Sequence, residues 1–510
     1  MVLGNFMAAS TLTPPMESPV RRGTSDILIF LCWLGLAVGI LARIFAGISA
    51  PLWFDETFSA VIATQEDVRL LVRWMLTELS GPTYYTMLFL WEKLAGDSNF
   101  ALRLPSLLIS IATPLLILWK GHSDRAVRMV WMALMALSGI AVETATQARP
   151  YSLMLILGTA QAIAFLRLMD NVTQRNAFVW TSISALAVLT HYHAAILCGI
   201  QGAAFLAVNR FKAARTWPAL LPLLPMAAWM ALHLPFIASF AQKDVAWYNL
   251  LDWKVVWLVP SLITGWAWPG VVLLLTMFAS MIFDVIHAAR QDREWPYSTG
   301  ETALFGSSLT AMILVIGVGF MVPSFTPRYM LPFLPGLVAG IAFWINRLKA
   351  RSVIVAVPIL CIMTGATIGV LEKNIVKPED DFRYSFTFQS PSDWIAAHGA
   401  TRLVMLWDNP TAALNDPDGH LGAVGSYFLR RSGHSISTIV PAWPRSGDPN
   451  ITLLDAAGNR RDTAILWAYD TDVPGTRGAI HPWKIPQLNP SWHCRDFGKP
   501  PIVVLACINR

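Results

Sequence analysis

The sequence predicts a mainly α-helical, polytopic membrane bundle of about eleven spans, followed by a small α/β domain outside the membrane. Three observations carry this. The 510 residues are 55% hydrophobic and 14% charged, with a mean hydropathy of +0.50, whereas a soluble domain carries about 25% charge. Eleven segments approach the roughly 20 apolar residues that a hydrocarbon core requires: 27–48, 100–119, 125–142, 151–168, 176–190, 192–209, 217–237, 267–287, 302–321, 329–346 and 352–371. From about Lys373 the chain turns polar and rich in Pro, Gly and Asp.

The bundle's orientation follows from its basic loops. Arg21/Arg22, Lys120/Arg125/Arg128, Arg167/Arg175, Arg210/Lys212/Arg215, Arg290/Arg293 and Arg347/Lys349/Arg351 fall on alternate connections. The positive-inside rule makes these cytoplasmic. An inner-membrane protein with a cytoplasmic N-terminus and a periplasmic tail is expected. The net charge of +6 reflects this bias and suggests no nucleic-acid partner. Residues 1–25, with their Ser, Thr and Pro, read as disordered. Asp26–Ser49 is too long for a signal h-region and lacks a clear cleavage site, so it reads as a retained first span. The expected domains are 26–372 in the membrane and 373–510 outside.

Residues 53–95 are too polar for one span. Trp53–Thr64 and Glu66–Glu78 have amphipathic helical spacing, with Leu70, Leu71, Trp74, Met75 and Leu79 in one stripe. With the short apolar stretch Pro82–Leu94 they read as helices lying in the outer interface. In the tail, Arg402–Trp407, Ala464–Tyr469 and Ile502–Ile508 read as buried strands, and Ser392–His398 and Val424–Arg431 as helices. Cys494 and Cys507 can pair in an oxidising compartment. Cys32, Cys198 and Cys361 sit in apolar runs and read as packing residues.

The loops opposite the basic ones hold the unusual residues: Asp55–Glu56, Glu143 to Tyr151, His191-Tyr192-His193, 238–262 and Ser324 to Tyr329. Ionised groups at a membrane are costly and mark function, so an active site on that face is the economical reading. Several short segments there form a pattern. Pro51-Leu-Trp-Phe-Asp55-Glu56, Gly81-Pro-Thr-Tyr84-Tyr85, Asp97-Ser-Asn-Phe-Ala-Leu-Arg103-Leu-Pro-Ser106, Gln147-Ala-Arg149-Pro-Tyr151 and Pro327-Arg328-Tyr329-Met-Leu-Pro332 occur in this order. Together they resemble the motifs of GT-C glycosyltransferases of family 39, the protein O-mannosyltransferase-like and lipid A aminoarabinose transferase-like enzymes. The resemblance covers 26–346.

The resemblance implies a polyprenyl-monophosphate-linked sugar as donor, used on the outer face among membrane lipids. It implies inverting transfer of one sugar to a lipid, glycan or protein acceptor. The chain departs from the pattern twice: Gly81 stands where the family has His, and Gln147 where it has Glu. Glu143, one helical turn before Gln147, is a candidate replacement carboxylate on the same face.

Inverting transfer needs a base for the acceptor and cations for the leaving phosphate. Asp55 is the family's catalytic aspartate by position and a carboxylate suited to be the base; alternatively it caps the helix that follows. Glu56 either binds the acceptor or a metal, or favours the helix N-terminus. Arg328 and Arg149, lone arginines at outer span ends, match phosphate bidentately, against snorkelling to headgroups. Lys243 is a further phosphate candidate. Arg103 pairs with Asp97 or Glu92. His191 and His193 either hold a divalent metal with Glu143, hydrogen-bond the sugar or finish a helix end. Tyr84, Tyr85, Tyr151 and Tyr329 line the substrate pocket or anchor at the interface. The aromatic stretch Trp253–Trp268 is either a flap or a reentrant helix. Two other classes stay open: a lipid or glycan transporter or flippase, against which no internal repeat is seen, and a noncatalytic scaffold of the same fold.

Overall fold

The computed structural model describes residues 19–240, 251–291, 295–321, 325–407, 419–442, 447–470, 483–500 and 502–509. Each of the eleven apolar segments contains a helix. Among the described residues, seven helical stretches are long and apolar enough to cross a membrane by length and composition: Asp26–Ile44, Asn99–Lys120, Tyr151–Asp170, Trp217–Ser239, Ala267–His287, Thr299–Met321 and Ser352–Val376. Ala194–Asn209 is apolar but shorter. The first helix begins at Pro19, inside the stretch read as disordered.

Helix starts follow local chemistry. Ser98, Asp124 and Thr173 each accept a first-turn backbone N–H through their side chains, satisfying donors that the helix cannot. The segment 125–142 breaks at Ser138, which ends the buried helix Arg125–Leu137 and starts a short one, Gly139–Glu143. Polar side chains inside the bundle bond across helices: Trp180 Nε1 donates to Gln201 Oε1 at 3.1 Å, and Gln161 also meets Gln201. Such pairs avoid unsatisfied polar groups in hydrocarbon.

The interfacial stretch folds as three helices, Phe54–Ala63, Val68–Met75 and Pro82–Ala95. Asp67 caps the second by accepting from Leu70 N at 2.8 Å, and Leu71 and Met75 of the predicted stripe are its buried residues. Gly81 permits a close backbone approach. A Cβ there would lie 1.9 Å from the Leu189 carbonyl oxygen, and Gly81 N donates to Thr190 O at 3.2 Å.

The tail forms one five-stranded sheet in the order β2-β1-β3-β5-β4. The strands are β1 (Arg402–Trp407), β2 (Ser437–Ile439), β3 (Thr463–Asp470), β4 (Trp492–Lys499) and β5 (Ile502–Asn509). β2, β1 and β3 run parallel; β5 is antiparallel to β3 and β4. Cys494 faces Cys507 across β4 and β5, and the two are disulfide-bonded. Val404, Leu406, Ile465 and Trp467 face helix Pro449–Ala457 in one core. Leu403, Met405, Leu466 and Val504 face the other way, into a core shared with Leu52, Phe54, Tyr85 and Leu88.

That shared core fixes the tail to the interfacial helices. Phe54 packs on Phe388 with ring centroids 4.5 Å apart and Phe58 stacks on Trp407. Phe54 N donates to Phe386 O at 3.1 Å, and Thr387 Oγ1 to Leu52 O at 2.6 Å. Arg431 reaches Asn99 Oδ1 at 2.8 Å. Arg383, buried, donates to Thr146 O at 3.2 Å and to Ala46 O, while bound to Asp381. The sheet and its linker therefore clamp the end of the bundle that carries the unusual residues.

Candidate active site

Asp55 and Glu56 occupy the first turn of helix Phe54–Ala63, where the helix dipole favours carboxylates. Successive helical residues diverge by about 100°, and here the two carboxylates part company. Glu56 turns inward. Its Oε1 accepts from Arg103 Nε at 2.7 Å and from Ala148 N at 2.6 Å, and Oε2 accepts from Trp53 N at 3.3 Å. Both side chains of the Arg103–Glu56 ion pair are 0% exposed. The remaining Arg103 donors hold the carbonyls of Ile48 (3.2 Å), Ala50 and Pro51 (2.7 Å). Arg103 thus pairs with Glu56, and not with Asp97 or Glu92 as expected, because helix Asn99–Lys120 places it beneath the 48–53 loop. Asp55 is not the cap of this helix: the cap residue is Trp53, whose N–H donates to Glu56.

Asp55 turns toward the open side. Its Oδ2 accepts from Arg328 Nη1 at 3.0 Å, with side chains 26% and 25% exposed. Arg328 also donates to Tyr151 OH at 2.9 Å, and its guanidinium lies 5.1 Å from the Trp53 ring centroid and 5.6 Å from that of Tyr151. Arg149 holds the Asp55 backbone carbonyl at 3.1 Å, Ser59 Oγ at 3.3 Å and Tyr85 OH at 3.2 Å. Tyr85 OH in turn donates to Glu78 Oε2 at 3.1 Å, which lies 4.0 Å from Arg149. Burial raises the Glu78 carboxyl above its ordinary range, against the pull of Arg149.

Tyr85 and Tyr151 thus brace the two arginines. Tyr84 and Tyr85 are equally buried and differ in partners: Tyr84 bonds Ser106 Oγ at 3.2 Å, while Tyr85 meets Arg149. Glu143 is accessible. Partial enclosure raises its carboxyl, opposed by Arg328 and reinforced by Asp381. His193 stacks on Tyr329 at 4.3 Å and buried His191 packs on the same ring at 4.9 Å. Burial pushes His193 down to about 4 and His191 well below the ordinary histidine value, the latter helped by His193, Arg149 and Arg328. Both rings are neutral at pH 7.

The metal reading of Glu143, His191 and His193 is corrected. Among the described residues no group of three His, Cys, Asp or Glu is arranged to hold a metal ion, so Glu143 does not complete a ligand set with the two histidines. Lys243 lies outside the described residues. The Trp253–Trp268 stretch forms helix Lys254–Thr264, ended by left-handed Gly265, with Trp257 and Trp268 rings 5.0 Å apart. The sequence reading missed Glu78, Asp381 and Arg383. Glu78 closes an amphipathic helix and looks like a solvated end residue, and the other two lie in a linker without a motif.

No protein-family model matches the chain, and no curated protein sequence matches it. Solved structures do. ArnT from Cupriavidus metallidurans in the apo state aligns over 95% of this chain and 98% of its own, with a TM-score of 0.54 at 11% identity. The same protein bound to undecaprenyl phosphate aligns over 94% and 98%, with a TM-score of 0.51 at 12% identity. At such identity the likeness establishes fold alone. ArnT is a GT-C glycosyltransferase, and the chain described here has the GT-C fold.

Proposed function

We propose that this protein is a membrane glycosyltransferase that moves a sugar from a polyprenyl-monophosphate carrier to an acceptor on the outer, periplasmic face, with inversion. The observation that carries the reading is the Asp55–Arg328 pair: a carboxylate and a guanidinium 3.0 Å apart, both accessible. They supply the two groups the reaction needs, a base for the acceptor and a cation for the departing phosphate. The GT-C fold and the undecaprenyl phosphate in ArnT support the choice of donor.

In this mechanism the acceptor X–H attacks C1 of the sugar from the face opposite the phosphate. The C1–O bond breaks, its electron pair leaves with the polyprenyl phosphate, and Arg328 stabilises that charge. Asp55 takes the proton. Arg149 spends its Nη1 on Asp55 O, Ser59 and Tyr85 and so positions the base, while among the described residues its Nε has no hydrogen-bond partner. Glu56 and Arg103 anchor the loop. Glu143 and the His191–Tyr329–His193 stack line the sugar or acceptor space.

The decisive test is Asp55→Asn in purified full-length protein with polyprenyl-phosphate sugars. Transfer is expected to fall by about 10²–10⁴-fold, the usual worth of a general base, while undecaprenyl phosphate binding persists. Full transfer by this variant removes Asp55 from the base role.

A further inference from the structure

The Asp55–Arg328 pair raises a problem for the donor reading above, on which this inference rests. The base and the phosphate ligand are bonded to each other. A carboxylate that shares an oxygen with a guanidinium is a poor proton acceptor, and a guanidinium neutralised by a carboxylate is a poor phosphate ligand. The surroundings resolve this. Asp55 does not depend on Arg328 for its place: Arg149 holds its backbone carbonyl at 3.1 Å, and the buried Glu56–Arg103 pair fixes the next residue. Nor does Arg328 depend on Asp55, since Tyr151 OH and the Trp53 and Tyr151 rings hold it independently. Either side chain can therefore release the other without the backbone moving.

We infer that the Asp55 carboxylate is a stand-in for the donor phosphate: it holds Arg328 until the arriving phosphate displaces it. A phosphate monoester or diester offers more than one oxygen to the planar guanidinium fork and is delivered at high local concentration by its lipid. Displacement frees Asp55 for the acceptor proton. The base is thus competent only when the donor is seated, and the donor binds before the acceptor is activated. After transfer, polyprenyl phosphate leaves, Asp55 gives its proton to water, and Arg328 returns to the carboxylate.

The experiment measures binding of undecaprenyl phosphate to the full-length protein in detergent, with undecaprenol as the control for the lipid tail. Asp55→Asn and Asp55→Ser remove the competitor, and both are expected to bind undecaprenyl phosphate roughly three- to fivefold more tightly, the worth of a partly exposed ion pair. Undecaprenol binding is expected to stay the same. Arg328→Ala weakens undecaprenyl phosphate binding, and adding Asp55→Asn to it restores nothing, because the competition acts through Arg328. Unchanged or weaker binding by both Asp55 variants overturns the inference while leaving the donor reading intact. So does tightening that persists without Arg328, which would be plain charge repulsion. Wild-type protein with no greater affinity for undecaprenyl phosphate than for undecaprenol overturns the donor reading and this inference together.

Discussion

Two adjacent carboxylates meet two arginines, with opposite consequences. Glu56 and Arg103 form a pair with no exposure, reinforced by backbone groups from the 48–53 loop and from Ala148. Asp55 and Arg328 form a pair a quarter exposed, in which one carboxylate oxygen and one guanidinium nitrogen meet. An ion pair is therefore not in itself the mark of a site. The buried pair ties the loop after the first span to the helix Asn99–Lys120 and to the turn at Ala148. The open pair is held up by those ties and keeps both partners within reach of a ligand.

The sharpest way to break this contrast is Arg103→Ala. Removing one partner of a buried pair strands the other charge, at a cost of about 3–5 kcal/mol, and here it also leaves the carbonyls of Ile48, Ala50 and Pro51 without their donor. A large fall in melting temperature or loss of folded protein in size-exclusion chromatography is expected. Arg328→Ala in the same assay is expected to cost about 0–1 kcal/mol. Equal losses would erase the distinction between anchor and site. Next in size is Gly81→Ala. The added Cβ would press on backbone atoms of Leu189, and overpacking costs about 1–3 kcal/mol. A thermal melt indistinguishable from wild type would show that the 81–82 loop yields. The same contact explains why the histidine of the resembled pattern is not found here.

The fold was largely legible because its signals are local. Apolar length marked the helices, and the strands at 402–407, 463–470 and 502–509 were visible as buried β-branched and aromatic runs. β2 and β4 were not: β2 has three residues, and β4 is a polar edge strand with alternating exposure. In the site, Asp55, Arg328, Arg149, Tyr85 and Tyr151 converge, and all five came from short outer-loop motifs. Partnerships were illegible. Arg103 lies 47 residues from Glu56 in sequence, and Arg383 reaches Ala46 across 337. Nothing in the spacing of Asp97 or Glu92 warns that a more distant carboxylate wins, because the decision rests on where a helix end meets a loop.

A smaller effect sharpens the comparison from the Asp55 side. Asp55→Asn keeps a group that accepts from Arg328, and the lost charge pair is partly solvated. Its stability, read from a thermal melt, is expected to stay within about 1 kcal/mol of wild type, even as transfer collapses. A variant that loses activity only by unfolding would put Asp55 with Glu56 among the anchors.

The smallest effect concerns the neutral histidines beside the open pair. Burial disfavours a charge on His193, and its folded value of about 4 lies below the ordinary histidine value of 6.5. Between these values the unfolded chain binds more protons than the folded one, so stability rises with pH across that window and falls as the pH drops. At pH 7 His193→Gln is therefore expected to leave both stability and the pH dependence of transfer unchanged. Below pH 6.5 the wild type loses stability faster than the variant, by at most about 1 kcal/mol at pH 5.5, as thermal melts over pH 5–8 would record. A variant that removes a limb of the activity profile near neutrality would mean that His193 exchanges protons during turnover.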